Sequence, residues 1–247
     1  MSEYLYLCLD LGSLSIPLLY SIFERKFHYV KNFKRLTVSI LIMSILFLSW
    51  DAVFTAHGIW GFNETYHLSF RLFSMPLEEY LFFFCIPYAC IFTHESLRFY
   101  VKKWEMSSAA TVFVSSLLIM IALVLLYDNF GKWYTTLNMA LFIGLMLFAY
   151  KFKFSLLKEF MPSYLIILIP FVIVNGILTG SLISEPVVWY NDSHNAGIRF
   201  ITIPIEDFFY AFSMLFMVLL PYDYFGQKER SNISYSNADI SVESTIR

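Results

Sequence analysis

Two short acidic motifs supply the side chains of this sequence that could transfer protons. The pair Glu78 and Glu79 heads an apolar, phenylalanine-rich segment, and the pair Glu206 and Asp207 heads a second such segment 128 positions later. Carboxyl groups gathered in apolar surroundings can supply an acid and a base, because one keeps its proton while its neighbour ionises. We therefore interpret the two pairs as the halves of one acid–base site.

Within each pair, the two acids cannot point the same way. Consecutive residues of a helix are turned by about 100°, so one acid can face the interior of a helix bundle while the other points elsewhere. The first acid is glutamate in both motifs, whereas the second is glutamate in one and aspartate in the other. We predict that Glu78 and Glu206 face inward and that Glu79 and Asp207 meet a neighbouring helix or the interface. All four are candidate catalytic residues.

The same acids also have structural explanations that involve no chemistry. Each motif begins with proline, which suits the first turn of a helix, and carboxylates there gain about 0.3–1 kcal/mol from the helix dipole. Alternatively, Glu78 could pair with Arg71 and Glu206 with Arg199, each arginine lying seven residues upstream. An acid at the bilayer centre costs roughly 2.5–3.5 kcal/mol, and matched duplication of so costly a feature favours function.

The composition is that of a membrane protein. Hydrophobic residues make up 58% of the 247 residues and aromatic residues 20%, and the mean hydropathy is +0.63, far from the averages of soluble domains. The net charge is −2 and no basic patch occurs, so no nucleic-acid partner is predicted. The three cysteines lack CxxC spacing, so neither a disulfide framework nor a zinc site is indicated.

Seven segments are apolar over the roughly 20 helical residues that cross a bilayer, which predicts an all-α, polytopic membrane protein. Their predicted ranges are 4–23, 36–56, 76–97, 108–127, 133–150, 161–183 and 201–222. Of the 17 Lys and Arg residues, 14 fall on one side of these spans, the exceptions being Arg71, Lys132 and Arg199. The positive-inside rule then predicts an outside N-terminus and a cytoplasmic C-terminus in the plasma or inner membrane.

The two motifs head spans of the same direction, so the two copies are predicted to be parallel. Residues 1–106 and 132–226 would form three-helix repeats, and 107–131 a linker helix that restores the direction of the chain. Residues 227–247, rich in Ser and Asn, are predicted to form a disordered cytoplasmic tail. Loop residues match at the same offset: Asn63 with Asn191, Glu64 with Asp192, Arg71 with Arg199 and Ser74 with Thr202.

Other polar and aromatic residues are candidates for supporting the acids or binding a substrate. Asp51 and Asn175 interrupt apolar runs in corresponding helices and could orient a catalytic acid. The remaining candidates lie before the motifs or beside the acids: Asn63, Arg71, Tyr80, Asn191, Arg199 and Tyr210. No spacing signature indicates a metal site, and no GxGxxG fingerprint indicates a flavin or nicotinamide cofactor.

The doubled Pro-x-Glu-Glu/Asp motif on apolar helices, with an asparagine-containing loop upstream of each copy, resembles the lycopene cyclase domain. That domain is found as two small membrane subunits or as one fused chain. The resemblance covers nearly the whole chain up to residue 225 and implies a redox-neutral lycopene beta-cyclase of carotenoid biosynthesis. It places Glu78, Glu79, Glu206 and Asp207 where that family has its essential acids. It implies lycopene and the lipid bilayer as partners, with other carotenoid-pathway enzymes as candidates.

A transporter is the competing function. Parallel three-helix repeats joined by a linker helix are also a transporter architecture, and paired acids can relay protons or cations. The alternative is therefore a proton- or cation-coupled transporter of small solutes. Conversion of lycopene by cells that make the protein would discriminate between the two functions.

Overall fold

Seven helices dominate the computed structural model, which describes residues 2–245 and the side-chain surroundings of residues 3–228. They are α1 (Leu5–Phe23), α2 (Phe33–Ala56), α3 (Leu77–Tyr100), α4 (Ser108–Asp128), α5 (Trp133–Phe152), α6 (Phe154–Leu178) and α7 (Ile205–Thr245). Each is long and apolar enough to cross a membrane. The prediction of an all-α protein with seven spans is confirmed.

Helix α6 departs from its predicted range of 161–183 at both ends. It begins earlier, because the charged side chains of its first turns are paired: Lys158 with Glu105 at 3.1 Å and Glu159 with Arg98 at 2.8 Å. It also ends earlier. Gly180 has a φ of +111°, outside the helical region, so the chain turns there although apolar residues continue beyond it.

Helix α7 extends past the membrane-spanning part of the chain. The span ends at Lys228, and the helical backbone continues to Thr245. The predicted disordered tail is 227–247. The structure describes the side-chain surroundings of this tail only for residues 227–228, and residues 246–247 lie outside the described residues altogether. Its disorder therefore stays a prediction.

In the part of the chain that the structure describes, six short strands lie between the helices. All are near the end of the bundle at which α3 and α7 begin, which we name the motif end. β2 (Arg71–Leu72) pairs with β3 (Met75–Pro76), and β5 (Arg199–Phe200) pairs with β6 (Ile203–Pro204). Each hairpin leads directly into the acidic helix that follows it. β1 (Trp60–Phe62) pairs antiparallel with β4 (Val188–Tyr190), and this contact joins the two halves of the chain.

The middle helix of each half packs against the acidic helix of the other half. Within the halves, α1 lies along α3 and α5 lies along α7; between the halves, α2 lies along α7 and α6 lies along α3. Helices α3 and α7 also contact each other. The shared core between them is apolar and includes Met43, Phe47, Phe83, Phe212 and Phe216. Helix α4 packs outside, mainly on α5.

Candidate active site

An apolar cavity of about 240 Å³ lies between α1, α3, α6 and α7, and the strands β1 and β4 close it at the motif end. Three acidic side chains line it: Asp51 from α2, Glu79 from α3 and Asp207 from α7. All three are buried, with exposed fractions of 4%, 7% and 5%. The structure therefore brings acids from both halves of the chain to one cavity.

Glu79 has two polar neighbours at the cavity. The Tyr6 hydroxyl donates to its Oε2 at 2.5 Å, and its carboxyl group lies close to that of Asp51. Two buried carboxylates repel each other, and a proton bound by one of them removes that repulsion. This pair can therefore hold a proton at the wall of the cavity.

Asp207 is surrounded by donors. The Tyr134 hydroxyl donates to Oδ1 at 2.5 Å, and Oδ2 accepts from the Asn175 amide at 2.8 Å and the Tyr190 hydroxyl at 3.1 Å. An ionised carboxylate has only acceptor sites, and three donors are well matched to it. Asn175, for which a role in orienting an acid is predicted from the sequence, thus contacts Asp207.

Glu78 and Glu206 do not line the cavity, so the prediction that the first acid of each pair faces it is wrong. Both are fully buried, but each bonds to the loop that precedes its own helix. Glu78 Oε1 accepts from the backbone N–H of Leu68 at 2.8 Å, and Glu206 Oε1 accepts from that of Ala196 at 2.6 Å. The hairpin before each helix folds the loop back onto the first acid and leaves the second to face the cavity.

The two arginines do not pair with Glu78 and Glu206, as they would in the structural alternative considered from the sequence. Arg71 bonds to Glu64 at 3.1 Å, and Arg199 bonds to Asp192 at 2.6 Å. Each arginine lies in a strand of a hairpin rather than in the helix, so helical spacing does not govern its partner. The two ion pairs join residues that match between the repeats, and both lie in the loops.

The remaining loop candidates hold loops together rather than facing the cavity. Asn63 donates to Glu185 at 2.9 Å, and Asn191 donates to the carbonyl of Gly58 at 3.3 Å. The Tyr80 hydroxyl donates to the Leu72 carbonyl at 2.8 Å. Among the described residues, no three His, Cys, Asp or Glu side chains cluster as the ligands of a metal ion would.

Tyr210, predicted to support the site, does line the cavity. Its ring meets those of Phe47, Trp50 and Trp60 edge-on at centroid distances of 4.9, 5.5 and 6.5 Å. Its buried hydroxyl has no hydrogen-bond partner among the described residues. A polar group with unused bonding capacity thus lies beside the acids.

Two loop residues next to the site have shifted pKa values that fix their charge. Burial, and then the nearby charge of Asp207, raise the pKa of Tyr190 well above its usual value, so its hydroxyl stays a donor. Hydrogen bonding from Asn195, and then from Arg199, lowers the pKa of Asp192 and keeps it ionised.

Sequence reasoning missed the tyrosines that bond to the acids. Tyr6 and Tyr134 are separated by 128 positions, the offset that relates the two motifs, so applying it to the first helix of each repeat finds them. The same offset matches Asp10 with Asn138, whose amide donates to the Glu206 carbonyl at 2.7 Å. Tyr190 gives no such signal, because Phe62 occupies its matched position.

Comparison with known proteins gives one match. The sequence model described as lycopene cyclase matches residues 3–97 and again residues 131–225, and these segments begin and end 128 positions apart. Together the two matches cover well over half of the chain. No curated protein and no solved structure matches it.

Proposed function

The chain belongs to the lycopene cyclase family, and on that premise we propose that it closes the linear ends of lycopene into beta-ionone rings without a cofactor. It acts in carotenoid cyclisation, within a membrane. The observation that carries the specific proposal is the meeting of Asp51, Glu79 and Asp207 at one apolar cavity. Ring closure is redox-neutral and needs a proton donor, a proton acceptor and protection of a cation from water.

Glu79 is the proton donor in this proposal. Its carboxyl group and that of Asp51 are both buried and lie close together, an arrangement that favours one proton on the pair, and the pair faces the apolar space where a hydrocarbon end would lie. The proton adds to the terminal double bond of the substrate and leaves a tertiary cation. The next double bond attacks this cation, forming the new carbon–carbon bond and moving the positive charge into the ring.

Asp207 is the proton acceptor. Its three hydrogen-bond donors hold an ionised carboxylate in place, and its charge stabilises the cation before it removes a ring proton. The electrons of that C–H bond form the ring double bond. One proton is added and one is removed, so no oxidant or reductant takes part.

Aromatic rings around the cavity assist the cationic intermediate. Trp60, Tyr134, Tyr190 and Tyr210 all line it, and their faces can attract a cation by about 0.5–2 kcal/mol each. Tyr210 lies close to Asp51, Glu79 and Asp207. Its unpartnered hydroxyl, as both donor and acceptor, is suited to return the proton from Asp207 to the Asp51–Glu79 pair after each ring closes.

Glu78 and Glu206 act as positioning residues. They bind the loops that precede α3 and α7. These bonds fix the first turn of each helix and thereby the positions of the Glu79 and Asp207 side chains at the cavity. The lycopene substrate and the bilayer are the proposed partners. The excess of Lys and Arg on one side supports a plasma or inner membrane protein with its N-terminus outside.

Expression in cells that accumulate lycopene tests the function directly. We expect chromatography of the pigments to show beta-ring carotenoids, and the Glu79→Gln variant at equal membrane abundance serves as the control. Unchanged lycopene in cells whose membranes contain the wild-type protein would contradict the proposal.

Purified protein tests the mechanism. In detergent or lipid with lycopene alone, we expect ring formation without added flavin or nicotinamide. In deuterated water, each ring should gain one deuterium, because the step begins with protonation. A strict requirement for an added redox cofactor, or rings without deuterium, would overturn the acid–base mechanism.

A further inference from the structure

The cavity is elongated along α3. Its wall on α3 runs from Glu79 through Phe82, Ile86 and Ala89 to Thr93, residues spaced three or four apart on one helical face. Fourteen residues of helix span about 21 Å. The cavity is therefore a channel along α3 with the acids at one end.

The channel is apolar beyond the acids. Three hydroxyl residues farther along it are paired within the protein. Ser13 and Thr93 donate to the carbonyls of Leu9 at 2.7 Å and Ala89 at 2.9 Å, and Tyr164 donates to the carbonyl of Phe208 at 2.5 Å. None of these hydroxyls therefore needs a partner in the channel. Such a lining suits a hydrocarbon chain and offers little to a polar ligand.

One side of the channel is open between two helices. Helix α1 packs along α3 and, in the described part of the chain, has no comparable packing against α6. Pro17 of α1 and Pro170 of α6 both line the channel, and Pro170 is exposed beside the exposed Ile169. The gap between α1 and α6 thus faces the lipid.

We propose that this channel binds the polyene chain of the carotenoid, which enters sideways from the bilayer between α1 and α6 and lies end-on, with one end group at the acids. The inference rests on the proposed function and names the part of the protein that holds the rest of the substrate. A membrane-soluble hydrocarbon reaches the acids by this route without passing through water.

The matched positions of the other half are filled, so the repeat does not supply a second channel there. Phe171 and Asn175 line the channel on α6, and their counterparts at the 128-residue offset are Met43 and Phe47 on α2. Both counterparts are fully buried in the core. The protein therefore receives one end of the substrate at a time.

A plug at the far end of the channel tests the proposal. Thr93→Trp places a large ring about 21 Å from the acids, and Ile169→Trp, at an exposed position of α6, is the matched control. Both variants are assayed in membranes with lycopene and with a linear half-length carotenoid cut at the central double bond. The short substrate carries the same end group but stops short of the plug.

We expect Thr93→Trp to cyclise lycopene at least tenfold more slowly than the wild type does. The same variant should cyclise the short substrate at a rate within twofold of the wild-type rate. Ile169→Trp should cyclise both substrates at the wild-type rate. Cyclisation of lycopene by Thr93→Trp at the wild-type rate would overturn the channel. Equal loss of both substrates in a variant of normal membrane abundance and detergent stability would overturn it as well. Failure of the wild type on both substrates would instead contradict the proposed function.

Discussion

Tyr6 and Tyr134 make the same contact in the two halves of the protein. Each hydroxyl donates a 2.5 Å hydrogen bond to the second acid of the motif that lies 73 residues later, Glu79 in one half and Asp207 in the other. The other neighbours of the two acids differ. Glu79 lies beside the carboxyl group of Asp51, whereas Asp207 accepts hydrogen bonds from the Asn175 amide and the Tyr190 hydroxyl. A duplicated framework thus holds two acids in different surroundings.

Removing either hydroxyl should slow catalysis. A hydrogen bond to a charged group contributes about 1.5–3 kcal/mol, so Tyr6→Phe and Tyr134→Phe are each expected to lower the initial rate of ring formation by about tenfold to a hundredfold. The measurement is pigment conversion per amount of membrane protein. Tyr150→Phe is the control, because Tyr150 bonds within the α4–α5 contact at Ser115 and Val112. Wild-type rates for both site variants would show that these bonds are not used.

Adjacent acids should respond differently to the same substitution. Glu79→Gln and Asp207→Asn remove a group that exchanges protons, and loss of an acid or base costs about 10²–10⁴ in rate. Glu78→Gln keeps an oxygen that can accept from Leu68, so near-normal activity is expected.

Glu206→Gln likewise keeps its acceptor oxygen for Ala196 and Thr135. Initial rates of all four variants at equal abundance decide the assignment. If Glu78→Gln or Glu206→Gln abolished ring formation in a stable protein, the roles of the two positions would have to be exchanged.

The sequence predicts the helices and the duplication well, because apolar length and a fixed offset are local signals. It does not predict which acid of a pair faces the cavity, since that depends on hairpins of two-residue strands that fold a loop onto Glu78 or Glu206. The contact of Tyr190 with Asp207 cannot be predicted from the sequence for a related reason. It arrives at Asp207 through strand pairing between halves of the chain, a contact that no helical periodicity encodes.

Gly61 is expected to be intolerant of a side chain. It pairs with Trp189 in the β1–β4 contact, and a Cβ at Gly61 would lie 2.7 Å from Cε2 of the Trp189 ring and closer still to Cζ2. Overpacking of this kind costs about 1–3 kcal/mol. Gly61→Ala should therefore lower the melting temperature in detergent, and adding Trp189→Ala should restore part of the loss. Equal melting of Gly61→Ala and the wild type would contradict the contact.

Asp10 is expected to accept replacement by asparagine. Both of its carboxyl oxygens are buried without a hydrogen-bond partner among the described residues, whereas its counterpart Asn138 donates to the Glu206 carbonyl. An amide at position 10 can donate the equivalent hydrogen bond to the backbone carbonyl of Glu78, and such a bond contributes about 1 kcal/mol to stability. Asp10→Asn should raise the melting temperature by about 2–4 °C, and Asp10→Ala should not. A lower melting temperature for Asp10→Asn would mean that the carboxyl group has a role of its own.

A single end-on channel also determines the order of products. Because Met43 and Phe47 fill the positions that match its α6 wall, the two ends of one substrate molecule cannot reach acids at the same time. A second ring requires the monocyclic product to leave and return by its other end. With isotopically labelled lycopene in large excess, a time course should show free monocyclic carotenoid before any bicyclic product. Unlabelled monocyclic carotenoid added at that stage should lower the fraction of label in the bicyclic product. Bicyclic product that forms from the first time point and keeps its full label would require both ends to be processed without release, which one channel does not allow.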